Sequence, residues 1–179
     1  MIRREARNQL ENLPGFANLG MGDLLSEVAY LGERIQQCDV HIRTMACACN
    51  AAQQLMQLMG IGEVTATAIV AMVGNAAELS CGRQFAAWIG LVPVQTSSGG
   101  KARLGRITKA GDAYLHSLLK MGARAVLNAA KTKNDSQSRW ALVLDQRRGY
   151  WKAVVAIAAK NARLAWAVLT KGESFKQPA

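Results

Sequence analysis

The chain has 179 residues, half of them apolar and 19% charged, which excludes a disordered tail and leaves room for one or two small domains with a real core. Its 22 Lys and Arg against 12 Asp and Glu give a net charge of +10, which favours a polyanionic partner, nucleic acid before anionic membrane. No apolar stretch follows Met1-Ile2-Arg3-Arg4-Glu5, and the best membrane-span candidate, Ala66 to Ala77, stops short of the roughly 18–20 residues needed. The expectation is a cytoplasmic protein without a signal peptide or membrane span.

Residues 1–23 are punctuated by Pro14-Gly15, Gly20 and Gly22 and read as a linker with at most a short helix. From Leu24 the apolar residues Leu24, Val28, Leu31, Ile35, Cys38, Ile42, Met45, Cys49 and Ala52 alternate at four and three, the a/d seam of a heptad repeat. Asp23 stands at the N-cap position. The pattern predicts a helix of about 29 residues, roughly 43 Å long, within a coiled-coil segment at 24–54. So narrow an apolar seam needs either a second copy of the chain or another helix of its own domain.

The next segment, LMQLMGIGEVTATAIVAMVG, predicts a helix ending at Leu55, Leu58 and Met59, a tight Gly60-Ile61-Gly62 connection, and a helix from Val64 to Val73. This is the spacing of a helix-hairpin-helix, whose glycines let the backbone approach a phosphate at the second helix's N-terminus. An ordinary helical turn without ligand fits the same residues. A short helix around Arg83–Gly90 ends before Pro93, and Leu91 to Gly100 reads as loop. Asp112 caps a helix striped by Leu115, Leu118, Leu119, Gly122, Val126 and Ala129 or Ala130. After the polar link KTKNDSQS come a helix near Ser138–Arg147 and a last one near Trp151–Thr170, apolar almost all round and so expected at the centre of the core. Lys152 and Arg163 share one of its faces. Short strands beside the loop aside, every element reads as helix, and the fold class is all-α.

The four cysteines, Cys38, Cys47, Cys49 and Cys81, form no C-x-x-C pair, and His41 and His116 have no metal-ligand spacing with them. Reduced thiols and no metal are expected, with Cys38 and Cys49 as small core residues on the seam. The charge is concentrated. Lys101 to Arg163 holds 14 Lys and Arg against Asp112, Asp135 and Asp145, while the remainder holds 8 basic and 9 acidic residues.

The segment from Thr96 to Asp112, TSSGGKARLGRITKAGD, therefore carries the chemistry. A serine that attacks a phosphodiester needs an exposed hydroxyl and cations to balance the charge of the transition state. Ser97 or Ser98 suits that role, with Lys101, Arg103 and Arg106 as phosphate ligands and Gly60, Gly62, Gly99, Gly100 and Lys109 completing the nucleic-acid contacts. A glycine-rich loop that positions phosphate without chemistry is the alternative. The Walker A spacing is absent.

The runs LMGIGEVTATAIVAMVG, RQFAAWIGLVPVQTSSGGKARLGRITKAGDAYLHSLL and KNARLAWAVLTKG resemble the C-terminal half of the DEDD-type bacterial transposases of insertion sequence family 110, nearer to its 1111 subgroup. The resemblance is dense from Leu55 to Gly172, the expected C-terminal domain, and leaves 173–179 as a tail. It implies a DNA recombinase whose serine, the first of the S-[ST]-G-G-K block, forms a covalent phosphoserine link to DNA. That places the nucleophile at Ser97, with Ser98 second. It further implies a guide (bridge) RNA, a homodimer or higher oligomer, and residence with the nucleoid. A RuvC-like domain with an acidic tetrad holding Mg2+ completes the family's enzyme. No such cluster of acids stands in the first fifty residues here, so the expectation is a chain that binds nucleic acid and dimerises but does not cleave DNA alone.

Overall fold

The computed structural model describes residues 14–74, 78–98 and 101–172, with the backbone alone for Ser98, Lys101 and Ala102. The described elements are α1 (Gly15–Ala48), α2 (Asn50–Met56), α3 (Glu63–Val73), α4 (Gly82–Trp88), β1 (Pro93–Ser98), β2 (Lys101–Ile107), α5 (Ala113–Ala130), α6 (Ser136–Arg148) and α7 (Tyr150–Lys171). The fold is thus mostly helical, as expected, with one two-stranded sheet. The chain divides into two compact units, Met1–Thr44 and Met45–Ala179.

In the first unit, α1 begins at Gly15, inside the stretch read as linker, with the amide of Asn18 donating to the Pro14 carbonyl at 2.9 Å. Proline at the start of a helix loses no hydrogen bond, because the first amides have no intrahelical partner. Gly20 and Gly22 cost about 1 kcal/mol each in a helix interior, too little to stop a helix already nucleated beyond them. The heptad seam lies open: Leu24, Val28, Leu31 and Ile35 are all exposed, and so is Cys38, which was expected in the core.

The second unit is built around α7, which packs against α2, α4, α5 and α6. Its contact face is small: Ala153, Ala158, Ala162 and Ala165 are fully buried with Val154 and Ile157. Alanines bring helix axes together without leaving voids. α7 is also long and apolar enough to cross a membrane by length and composition, a test that the core helix of a packed domain passes equally. Three side chains tie distant connections to this hub or its end. The Asn161 amide donates to the Met59 carbonyl at 2.8 Å, Trp166 Nε1 to Leu79 at 3.1 Å, and Gln54 Nε2 to Gly172 at 3.0 Å.

The expected 24–54 helix breaks at Cys49, whose backbone is extended (φ −102°, ψ 113°), and α2 restarts at Asn50. Burial changes hands there: Ala46, Ala52 and Leu55 face the core, while Met45 is exposed and Cys49 only partly buried. The expected cap at Asp112 forms, Asp23 lies inside α1 rather than at its start because the helix begins eight residues earlier, and Asp135 caps α6 without having been expected to. Asp112 accepts from the Leu115 amide, and Asp135 accepts from the Ser138 amide and hydroxyl, which hold its carboxyl below the usual range.

The connection between α2 and α3 is pinned by a glycine pair. Gly60 has φ +86°, and a Cβ placed there would sit 2.7 Å from the Gly122 carbonyl oxygen of α5. A Cβ on Gly122 would in turn collide with the carbonyl of Gly60. Helix propensity alone predicts that Gly122→Ala stabilises by about 1 kcal/mol. Packing predicts the opposite, a loss of about 2–3 kcal/mol, because a backbone carbonyl cannot step aside. Thermal unfolding of the variant decides the sign.

Candidate nucleic-acid interface

The segment read mainly as loop is an antiparallel hairpin. β1 and β2 pair Thr96 with Arg103, Ser97 with Ala102 and Ser98 with Lys101, and the connecting Gly99 and Gly100 lie outside the described residues. Two glycines between strands are a hairpin signal in their own right. The strands were hard to read because neither side is buried: residues 93–97 and 103–106 are all exposed, so no apolar alternation marks them. A bare two-stranded ribbon is marginal in water. This one is anchored at its base.

The anchor is built from backbone. His116 Nδ1 donates to the Ile89 carbonyl at 3.0 Å, the Thr108 amide to Val92 at 2.9 Å, and the Lys109 amide to Gly90 at 3.3 Å. Gly111 (φ +100°) lies so close to the Trp88 carbonyl that a Cβ there would collide with it. Only glycine reconciles that φ with that approach, and the hairpin therefore leaves the helical body at a fixed place.

Ser97 is exposed on β1, and its Oγ accepts a hydrogen bond from Gln95 Nε2 at 3.0 Å. Alternate residues of a strand face opposite sides. The register puts Ser97 and Gln95 on the side of Leu104, and Thr96 and Arg103 on the other. Arg103 is thus not brought to Ser97. For Ser98 and Lys101 the backbone pairing is what the structure describes. Between the Gln95–Leu104 and Pro93–Ile107 pairs β2 carries an extra residue, a bulge at Gly105 and Arg106.

Beyond the bulge the basic residues meet a groove of about 870 Å³. Arg106 and Lys109 from the hairpin's base, Arg83 from α4, and Lys152 and Arg163 from α7 line it, with Trp140 of α6 and Trp151 of α7. Its apolar lining includes Ala86, Leu91, Val155 and Ala159. Lys160 Nζ sits over Trp140, 4.5 Å from the ring centroid, and partial burial together with the Arg163 guanidinium lowers its pKa. Of the residues expected to contact nucleic acid, Arg106 and Lys109 reach this groove. Gly60 is turned toward α5, and Gly62 is exposed at the start of α3 with open space around its Cα. The sequence reading missed Arg83, Trp140 and Trp151, which lie far apart along the chain. Lys152 and Arg163 were paired on one face, the single signal that pointed here. Among the described residues, no three of His, Cys, Asp and Glu come together in a way that could hold a metal ion.

Residues 52–141 match the model of the transposase IS116/IS110/IS902 family. The chain belongs to that family. It is 43% identical over 160 residues to a probable family 20 transposase of Pseudomonas aeruginosa, a match covering 87% of this chain and 47% of the relative. It is 39% identical over 153 residues to the transposase for insertion sequence element IS1111A of Coxiella burnetii, covering 86% and 42%. With the transposase for element IS1328 of Yersinia enterocolitica the identity is 34% over 150 residues, covering 83% and 44%. The chain thus spans somewhat less than half the length of these relatives. The family match takes in the hairpin, the cap at Asp112 and α5, while the groove residues of α7, Trp151, Lys152 and Arg163 among them, lie beyond it.

The groove cations and Arg103 face different surroundings, and salt dependence separates them. If DNA lies along the groove, Arg106→Ala and Arg163→Ala each lower the slope of log affinity against log salt by about 1. Arg103→Ala changes it only if the same DNA also crosses the far side of the ribbon. Binding measured across a salt series reads all three.

Proposed function

We propose that this chain is the serine-bearing C-terminal part of a DNA transposase that breaks and rejoins DNA through a covalent phosphoserine. The observation that carries the reading is an exposed serine, Ser97, on a hairpin whose anchored base is flanked by a cluster of cations. Attack of Ser97 Oγ on a DNA phosphodiester forms a Ser–O–P bond and releases a deoxyribose hydroxyl. The serine proton ends on the leaving oxygen. One phosphodiester replaces another, so rejoining needs no external energy source. The Gln95 amide donates to Oγ and so favours negative charge developing there. It cannot take the proton, since an amide nitrogen is no base.

The Mg2+ that the family resemblance implies belongs to a RuvC-like domain with clustered acids, where it would stabilise charge on the reacting phosphate. The described residues offer no such cluster, so in this proposal the acidic half comes from outside these 179 residues. The partners are DNA and a guide RNA in the bacterial nucleoid.

A binding-only module is the second reading. It is favoured by one observation: Ser97 shares its side of the ribbon with Leu104 and not with Arg103. One experiment distinguishes the two. The chain is mixed with a RuvC-like domain of the same family and an element-end duplex, and covalent adducts are resolved on a denaturing gel. An adduct that Ser97→Ala abolishes, with DNA binding intact, supports the nucleophile. An adduct lost only in Ser98→Ala moves the role to the neighbour, and no adduct at all favours the binding-only module.

The open seam of α1 supports a coiled-coil homodimer. Leu24, Val28, Leu31 and Ile35 keep heptad spacing and are exposed, and parallel packing against a second copy would cover them. Val28→Glu combined with Ile35→Glu places like charges across such a seam. Light scattering should then read a monomer where the unsubstituted chain reads a dimer or larger.

A further inference from the structure

We propose that the groove between α4, α7 and the base of the hairpin receives an unpaired base of single-stranded nucleic acid, stacked on Trp151 with its flanking phosphates on the surrounding Arg and Lys. This rests on the nucleic-acid reading above and adds what kind of strand the groove takes.

Trp151 is 67% exposed, an unusual position for so large an apolar surface. It is nonetheless held in place. The Tyr150 ring meets it edge-on with centroids 5.2 Å apart, and the Arg124 guanidinium lies 5.9 Å from its ring centroid. Val155 and Ala159 follow Trp151 at intervals of four on α7, so the indole continues into an apolar stripe along the helix. Trp140 of α6 lines the same groove with Lys160 on its face. The rim is cationic on several sides, from Arg83, Arg106, Lys152 and Arg163.

An apolar stripe ending in an indole, ringed by cations, has the chemistry of a single-strand platform. Every base has a face that stacks on an aromatic ring, and the phosphates on either side need positive charge. A fully paired duplex presents phosphates and groove edges, keeps its base faces stacked on one another, and has no use for an apolar floor. A second copy of this chain would bring a like-charged rim against this one, which repels.

The site adjoins the hairpin through shared residues. Gly105, Arg106 and Ile107 of β2 line the groove, and β1, which carries Ser97, contributes Pro93. A strand held here therefore lies at the base of the ribbon that carries the candidate nucleophile four residues further on.

The test compares a labelled oligothymidylate, an oligouridylate and a blunt DNA duplex of equal phosphate count, each titrated with the full chain. We expect Trp151→Ala to weaken the single strands about tenfold, as the loss of one aromatic–base stack does. Duplex affinity should change by less than about twofold. Trp151→Phe should restore most of the loss, which separates stacking from a change of fold, and melting curves should coincide because the side chain is exposed. Loss confined to the oligothymidylate assigns the groove to DNA, and loss confined to the oligouridylate assigns it to RNA. An equal loss on duplex and single strands, or no loss on any, overturns the unpaired-base site while leaving the nucleic-acid reading standing. Failure of the unsubstituted chain to bind any of the three probes in a salt-sensitive way removes both.

Discussion

Helix α7 is the constraint on which the second unit depends. One of its faces is alanine-rich and fully buried, and that small surface lets four helices approach a common axis. Its opposite face presents Trp151, Lys152, Val155, Ala159 and Arg163 to the groove. Core and candidate interface are thus two sides of one helix. Small residues on the first side fix the helix's rotation about its own axis, and that rotation sets where the second side's cations and indole point. A larger residue at Ala158 or Ala162 would have to push a neighbouring helix outward, and the groove would widen with it.

The hairpin depends on the same body through hydrogen bonds and a close backbone approach at its base. Gly111 against the Trp88 carbonyl, and His116 on the Ile89 carbonyl, fix the base from which an exposed ribbon projects. A fixed base with an exposed ribbon limits where Ser97 can be carried, which suits the proposed role of that segment. The bulge near Gly105 and Arg106 divides the basic residues between two surroundings. Arg103 belongs to the ribbon, and Arg106 and Lys109 belong to the groove.

Much of the second unit was legible beforehand. Asp112 announced the start of α5 because a carboxylate before an apolar stripe satisfies the first free amides, and Leu115, Leu119, Val126 and Ala130 of that stripe are buried as read. The apolar run from Trp151 to Thr170 lies at the centre of the core for the reason its composition suggested. The hairpin reads as loop from sequence because both its sides meet solvent, so its few apolar residues do not alternate. The start of α1 was missed because glycines signal breaks locally, whereas helix extension is cooperative and tolerates them. Cys38 was placed in a core that the single chain does not form.

The sequence by itself determined the family and where along the chain the charge is concentrated. A charge excess confined to Lys101–Arg163 favours a polyanion wherever those residues end up, and the hairpin motif is contiguous, so its residue order carries it intact. Tertiary structure alone decided which cations act together. Arg83 lies outside the basic stretch, and nothing in the local sequence marks Trp140 or Trp151 for a site, yet packing on α7 brings all three to one groove with Arg106 and Arg163. Arg103, three residues from Arg106, is turned to a different side by strand alternation. Net charge adds up along a chain without regard to position. A binding surface depends on direction, and direction is set only when helices and strands pack.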